Sequence, residues 1–197
     1  MPKEQRGLVD RVAIGIAIVG AIIGLMASFV LSNDAVILAK NADATLTCSV
    51  SAVLNCASVA KSAQAELFGF PNSFIGIAAM AALLAIMVVA WTKVRLSRWF
   101  NRALAGGVVL GLIFAGWMFY ESFVVIQVLC PWCLTTDLGM LLLAFGVFRY
   151  LARLDDGTFP TRVATFSHKG YDLLATIAIA VIMVAAILLK YGSSLLG

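Results

Sequence analysis

Charge is scarce in this chain. Of its 197 residues 12% are charged while 62% are hydrophobic, and the mean hydropathy is +1.02. A soluble domain carries roughly 45–50% apolar and about 25% charged residues. The shortage excludes a water-soluble globular protein and leaves an integral membrane protein. The net charge of +4 invites a polyanion partner, but the basic residues fall in short clusters beside apolar runs, a pattern of membrane topology and not of a nucleic-acid face. No small-residue cleavage site stands out after the first apolar run, so that run is expected to be retained as a span. The one histidine, His168, lies in a basic loop and is given no role. Chemistry is left to four cysteines, Cys48, Cys56, Cys130 and Cys133.

The apolar runs predict five transmembrane helices in an all-α membrane domain covering the whole chain, over about 12–31, 73–92, 103–125, 130–151 and 171–189. Gly15, Gly20 and Gly24 suit the first for close helix packing. A polar segment over about 32–72 separates the first two spans and holds Cys48 and Cys56. Within it, about 57–68 spaces like a short helix, with Val59, Ala63 and Leu67 recurring four apart and Gly69 and Pro71 ending it, so it should lie on the membrane surface. Lys93, Arg95, Arg98 and Arg102 make a basic turn after the second span. Only Gln127, Val128 and Leu129 separate the third span from Cys130. With the N-terminus inside, 11 of the 14 basic residues fall in inner segments and 3 in outer ones, namely Lys40, Lys61 and Lys190. The asymmetry orients the chain and puts both cysteine pairs on the outer, oxidising face.

Cys130-Pro131-Trp132-Cys133 opens the fourth span. Pro131 suits the first helical position, so Cys130 should cap the helix, where the macrodipole favours its thiolate. A three-residue offset lets Cys130 and Cys133 bridge each other, and the seven residues between Cys48 and Cys56 can close a small loop. Thiols on one face can relay a disulfide through mixed disulfides. Cys133 points to the bilayer, where a membrane-soluble oxidant such as a quinone reaches it. The same cysteines also allow a non-enzymatic membrane protein whose outer loops are simply stapled. Four thiolates match a zinc site in number but not in spacing, so no metal is expected. Asp137 lies one turn below Cys133 on the same helical face, and an acid inside a span is a functional candidate. Glu121, near the outer end of its span, is free to snorkel outward. Trp132 and Phe70 are candidates to line a quinone pocket, although aromatic residues gather at membrane interfaces in any case.

Taken together, the Cys48 and Cys56 pair, Phe70-Pro71-Asn72-Ser73-Phe74-Ile75-Gly76 opening the second span and Cys130-Pro131-Trp132-Cys133-Leu134-Thr135-Thr136 opening the fourth resemble the vitamin K epoxide reductase family in its bacterial form. The likeness covers roughly residues 11–151, and the fifth span resembles the extra helix of bacterial members; the thioredoxin-like domain fused to some of them is not expected here. The resemblance implies a four-helix bundle around a quinone, menaquinone or ubiquinone, in a bacterial plasma membrane with the N-terminus cytoplasmic. It implies that Cys130 and Cys133 are the redox pair, Cys133 meeting the quinone, and that Cys48 and Cys56 shuttle disulfides. Cys56 would exchange with Cys130, and Cys48 with an extracytoplasmic thioredoxin-like (DsbA-like) partner. Asn72 matches the family position that bonds a quinone carbonyl. Two positions differ: Ser49 follows the first loop cysteine where some relatives have an acid, and Asp137 replaces the quinone-contacting tyrosine of vertebrate members, which favours an ordinary respiratory quinone over vitamin K epoxide.

Overall fold

The structure is a computed structural model that describes residues 3–49, 51, 53–92, 94, 96–154, 165–167 and 169–196. Lys93 and Arg95 of the basic turn, and Arg162 and His168 of the last loop, lie outside the described residues.

Helix α1 runs Lys3–Lys40 without a break. It continues nine residues past the expected end of the first span at 31 because its polar residues are satisfied inside the helix. Ser32 Oγ donates to Ser28 O at 2.8 Å, and the Asn41 N–H closes the last turn on Ile37 O at 2.9 Å. Falling hydropathy ends a membrane span; it does not end a helix. At about 1.5 Å per residue the 38 residues reach ~57 Å, well beyond a hydrocarbon core of about 30 Å.

The loop helix departs from expectation. Helix α2 is only Cys56–Ala60, and a 3-10 turn, Ala63–Glu66, follows it. Ser62 Oγ donates to Val59 O at 2.7 Å and the chain turns there, so a single helix over 57–68 does not form. Val59 is buried as its spacing suggests, whereas Leu67 is 53% exposed.

Helix α3 is Asn72–Trp91 and helix α4 is Arg98–Tyr120, begun five residues ahead of the expected span because Ser97 Oγ caps the Phe100 N–H at 3.3 Å. A π-helical turn, Glu121–Ile126, ends α4, and Gln127 follows in the left-handed region at φ 59°. Helix α5 is Pro131–Ala152 and helix α6 is Tyr171–Leu196. Five helices are thus long and apolar enough to cross a membrane, and among the described residues there is no β-strand.

Helices α1 and α5 are the buried axis. A Cβ added at Gly20 would sit 2.5 Å from the Leu143 nitrogen, and one at Gly139 would sit 2.6 Å from the Gly24 nitrogen. Backbone meets backbone, and only glycine permits it. Around this seam Met87, Val108, Leu143, Val147 and Leu151 fill the bundle interior. Helix α6 packs on the outside. Arg149 on α5 pairs with Asp172 at 3.0 Å, and at the other end Lys190 and Tyr191 both donate to Phe123 O. The end of α1, the start of α3, the end of α4 and the start of α5 therefore share one end of the bundle with all four cysteines.

Candidate redox site

The site is assembled by a short stitch between two loops. The Leu129 N–H donates to Val53 O at 2.7 Å and the Asn55 N–H to Leu129 O at 3.0 Å, an isolated parallel bridge that lays the cysteine loop on the segment entering α5. Gln127 supplies the bend: its left-handed backbone turns the chain out of the π-helical turn into extended Val128 and Leu129. Asn55 Oδ1 then caps α2 through the Ser58 N–H at 3.1 Å and accepts from Ser49 Oγ at 3.0 Å. Cys56, the first residue of α2, is thereby fixed against the first residues of α5.

Cys48 and Cys56 are joined in a disulfide, and Cys130 and Cys133 are free. Cys130 Sγ lies 3.4 Å from Cys56 Sγ, inside the roughly 3–3.5 Å separation of a near-attack arrangement. Both residues are 1% exposed. Cys130 is the N-cap of α5 with Pro131 behind it, and its sulfur accepts the Cys133 N–H at 3.3 Å. Its thiol is held below the ordinary value, first by the hydrogen bond from the Cys133 thiol, then by the backbone N–H groups of Cys133 and Trp132, with burial opposing.

Deeper in the bundle a cavity opens beside Cys133, with Met118, Phe119, Ser122, Cys130 and Asp137 in its wall. Asp137 is 8% exposed. Ser122 Oγ is spent on Val128 O at 2.6 Å, which leaves the wall largely apolar. Asn72 contacts that wall from α3: its amide nitrogen donates to Gln64 O at 2.7 Å and reaches Met118 Sδ at 3.9 Å. Gln64 Nε2 in turn donates to Glu121 Oε2 at 3.3 Å, so Glu121 bonds the cysteine loop and does not point into solvent alone. Among the described residues, two buried polar atoms in the first turn of α3 have no partner, Asn72 Oδ1 and Ser73 Oγ. Buried polar atoms are ordinarily paired. Apart from the thiols of Cys130 and Cys133 and the carboxyl of Asp137, the cavity wall is apolar, in character a setting for an apolar redox group beside a thiol.

A search of protein families matches the vitamin K epoxide reductase family over residues 15–148. The chain belongs to the vitamin K epoxide reductase family. No individual curated protein matches it. Within this family member the matched residues span α1 to α5 and take in every cysteine and the cavity, while α6 lies outside the match. Membership makes the chain a membrane redox protein acting on thiols.

Of the residues singled out in the sequence, the structure brings Cys48, Cys56, Cys130 and Cys133 into one cluster and puts Asp137 in the cavity wall. Asn72 reaches that wall through Met118 and does not itself line it. Trp132 is half-buried against the cysteine cluster and is not among the lining residues. Phe70 is 42% exposed, its ring centroid 6.3 Å from that of Phe68, and it also stands apart from the cavity. Missing from the sequence reading was Asp34. Its Oδ2 lies 3.6 Å from Cys48 Sγ, and its carboxylate and the two loop sulfurs fall within 4.8 Å of one another. The signal was there in register: Leu31, Asp34 and Leu38 follow the i, i+3, i+7 stripe of a helical face, unreadable while 32–40 is taken for loop.

Proposed function

We propose that this chain is a quinone-dependent thiol oxidoreductase that generates disulfides and passes them from Cys130–Cys133 through Cys48–Cys56 to a thioredoxin-like protein on the extracytoplasmic side of a bacterial plasma membrane. One observation carries the reading: the capped thiol Cys130 stands 3.4 Å from Cys56 of a closed loop disulfide. A purely structural staple gives no reason for a free cysteine held at exchange distance from the bridge it leaves intact.

The chain's own groups divide the work. Cys56 is the loop sulfur in contact with Cys130, which leaves Cys48 to exchange with the partner, and the exchange between Cys56 and Cys130 conserves thiols and disulfides as one S–S bond forms and another breaks. The Cys133 N–H and the start of α5 hold the Cys130 sulfur when it leaves as an anion. Asn72, once its amide N–H turns from Gln64 O, would donate to a carbonyl of an ordinary respiratory quinone beside Cys133, with Asp137 as a buried acid in the cavity wall. Bound there, a quinone supplies a two-electron acceptor for the Cys130 and Cys133 thiols. The basic-residue asymmetry of the sequence supports a cytoplasmic N-terminus and extracytoplasmic cysteines.

The test is quinone reduction by dithiothreitol in membranes containing the protein. Cys133→Ala abolishes it, and full retention of the activity would sink the assignment. If the cysteines only brace the loops, thiol trapping finds them in one fixed state whether quinone is supplied or withheld.

A further inference from the structure

Asp34 has no place in the chemistry so far, yet its surroundings are unusual. It is 6% exposed near the end of α1, and its Oδ2 contacts Cys48 Sγ at 3.6 Å. Among the described residues no basic side chain pairs with it. The charged groups of the neighbouring segments, Lys40 at the end of α1, Asp43 after it and Lys61 after α2, are all exposed. The titratable groups that face it are sulfurs, Cys48 from the loop and Cys56 from α2, and its charge also acts on Cys130 at the N-cap of α5. Burying an acid without a compensating cation is expensive, so a position next to a reacting sulfur calls for an explanation. Two of those sulfurs are tied in a disulfide and offer no thiolate to a metal, so the acid faces a redox bond.

We propose that Asp34 is the general base for Cys48 in the step that closes the loop disulfide, an inference that rests on the relay proposed above. The step begins from the mixed disulfide Cys56–Cys130 with Cys48 as a thiol. Only a thiolate is a competent nucleophile. In that state the 3.6 Å contact becomes an S–H donating to the carboxylate. Asp34 takes the proton as Cys48 Sγ attacks Cys56 Sγ. The Cys48–Cys56 bond forms, the Cys56–Cys130 bond breaks, and the electron pair leaves on Cys130 Sγ, where the Cys133 N–H receives it. Cys48 is oxidised and Cys130 reduced, with no outside reagent.

The charge balance explains why a base is needed inside the site. Cys48, Cys56 and Cys130 are 7%, 1% and 1% exposed, so water has little access to carry a proton away. With Asp34 as acceptor the cluster bears one negative charge throughout, first on the carboxylate and then on the Cys130 sulfur. Without it, Cys48 must lose its proton to bulk water across a closed loop. By microscopic reversibility the protonated acid returns the proton to Cys48 when that sulfur is the leaving group.

The experiment follows the mixed disulfide in the full-length protein in membranes, by acid quench, alkylation and mass spectrometry during turnover with dithiothreitol and quinone. At neutral pH Asp34→Asn resolves the Cys56–Cys130 species about 10²-fold more slowly than the parent, so it accumulates, in line with the lower end of general-base contributions. The deficit shrinks as the pH rises and Cys48 ionises unaided, and Asp34→Glu recovers most of the rate. An equal deficit at every pH, or none, overturns the proposal. Cys48→Ser separates the two readings: it must accumulate the same species if the relay operates, and if it does not, the relay itself fails. Should Asp34→Asn not fold, the wild-type closing step decides, since proton transfer to a base gives a normal solvent deuterium isotope effect and its absence rules the role out.

Discussion

Cys130 touches Cys56 and not Cys48: the free sulfur lies 3.4 Å from the inner sulfur of the loop disulfide, whose outer sulfur is turned toward Asp34. The arrangement fixes which bond can break first. In the reverse exchange, attack by Cys130 on Cys56 expels Cys48, while attack on Cys48 would require the loop to turn over against the Leu54–Leu129 bridge.

The regiochemistry is directly measurable. In Cys48→Ala the one sulfur left in contact with Cys56 is that of Cys130, and peptide mapping should find Cys56–Cys130 as the dominant crosslink between the loop and α5. In Cys56→Ala the corresponding Cys48–Cys130 peptide should be at least tenfold rarer, because a misplacement of about 1 Å already costs on the order of 10²-fold in rate. Comparable yields of the two crosslinks would show that the loop turns over freely.

The cap on Cys130 predicts a pH profile. In the reverse exchange, started from the closed loop disulfide, Cys130 is the attacking thiolate; with its thiol held below the ordinary value, first by the hydrogen bond from Cys133, that thiolate is already formed at pH values where an unassisted thiol is still protonated. The rate of mixed-disulfide formation should therefore reach its plateau below the ordinary thiol range near pH 8.5. Cys133→Ala removes the largest cause, so the plateau should move to higher pH, which stopped-flow trapping of the Cys56–Cys130 species reads out. A profile that stays in place would mean that the backbone N–H groups alone hold the anion.

The α1–α5 seam predicts where the bundle is brittle. Gly139→Ala places a methyl 2.6 Å from the Gly24 nitrogen and 2.8 Å from Gly20 O, atoms that cannot rotate away, whereas Gly106→Ala meets nothing within 4 Å. Overpacking of this kind costs about 1–3 kcal/mol. Thermal unfolding in detergent should show a clear loss for Gly139→Ala and none for Gly106→Ala, where exchange of an exposed glycine for alanine in a helix is neutral to stabilising.

Much of this was legible beforehand, and for physical reasons. Five apolar runs, a proline at the first turn of α5 and a cysteine before it are signals written in adjacent residues, so the spans and the Cys130 cap could be read directly. What escaped depends on residues far apart in sequence. The extension of α1 to Lys40 is carried by hydrogen bonds such as Ser32 to Ser28 that hydropathy does not register, and Asp34 was lost with it. The loop helix was overextended because Val59, Ala63 and Leu67 keep helical spacing, while the break after Ala60 comes from a serine closing on its own turn. The placing of Trp132 and Phe70 away from the cavity has the same origin: aromatic character marks an interface but not which side of a helix faces inward.

The glycine seam has a further consequence for where motion is possible. Contact between main chains leaves no rotamers to repack, so α1 and α5 behave as a single stiff strut with Asp34 mounted on one member and Cys130 and Cys133 on the other. The pieces that must rearrange during exchange are then the short loop segments, stitched on by a few hydrogen bonds around Leu54 and Leu129. Local opening there takes far less free energy than separating packed helices. On the relay proposed above, exchange would then be confined to these loop segments working over a fixed frame, and presenting Cys48 to a partner would require them, not the helices, to open.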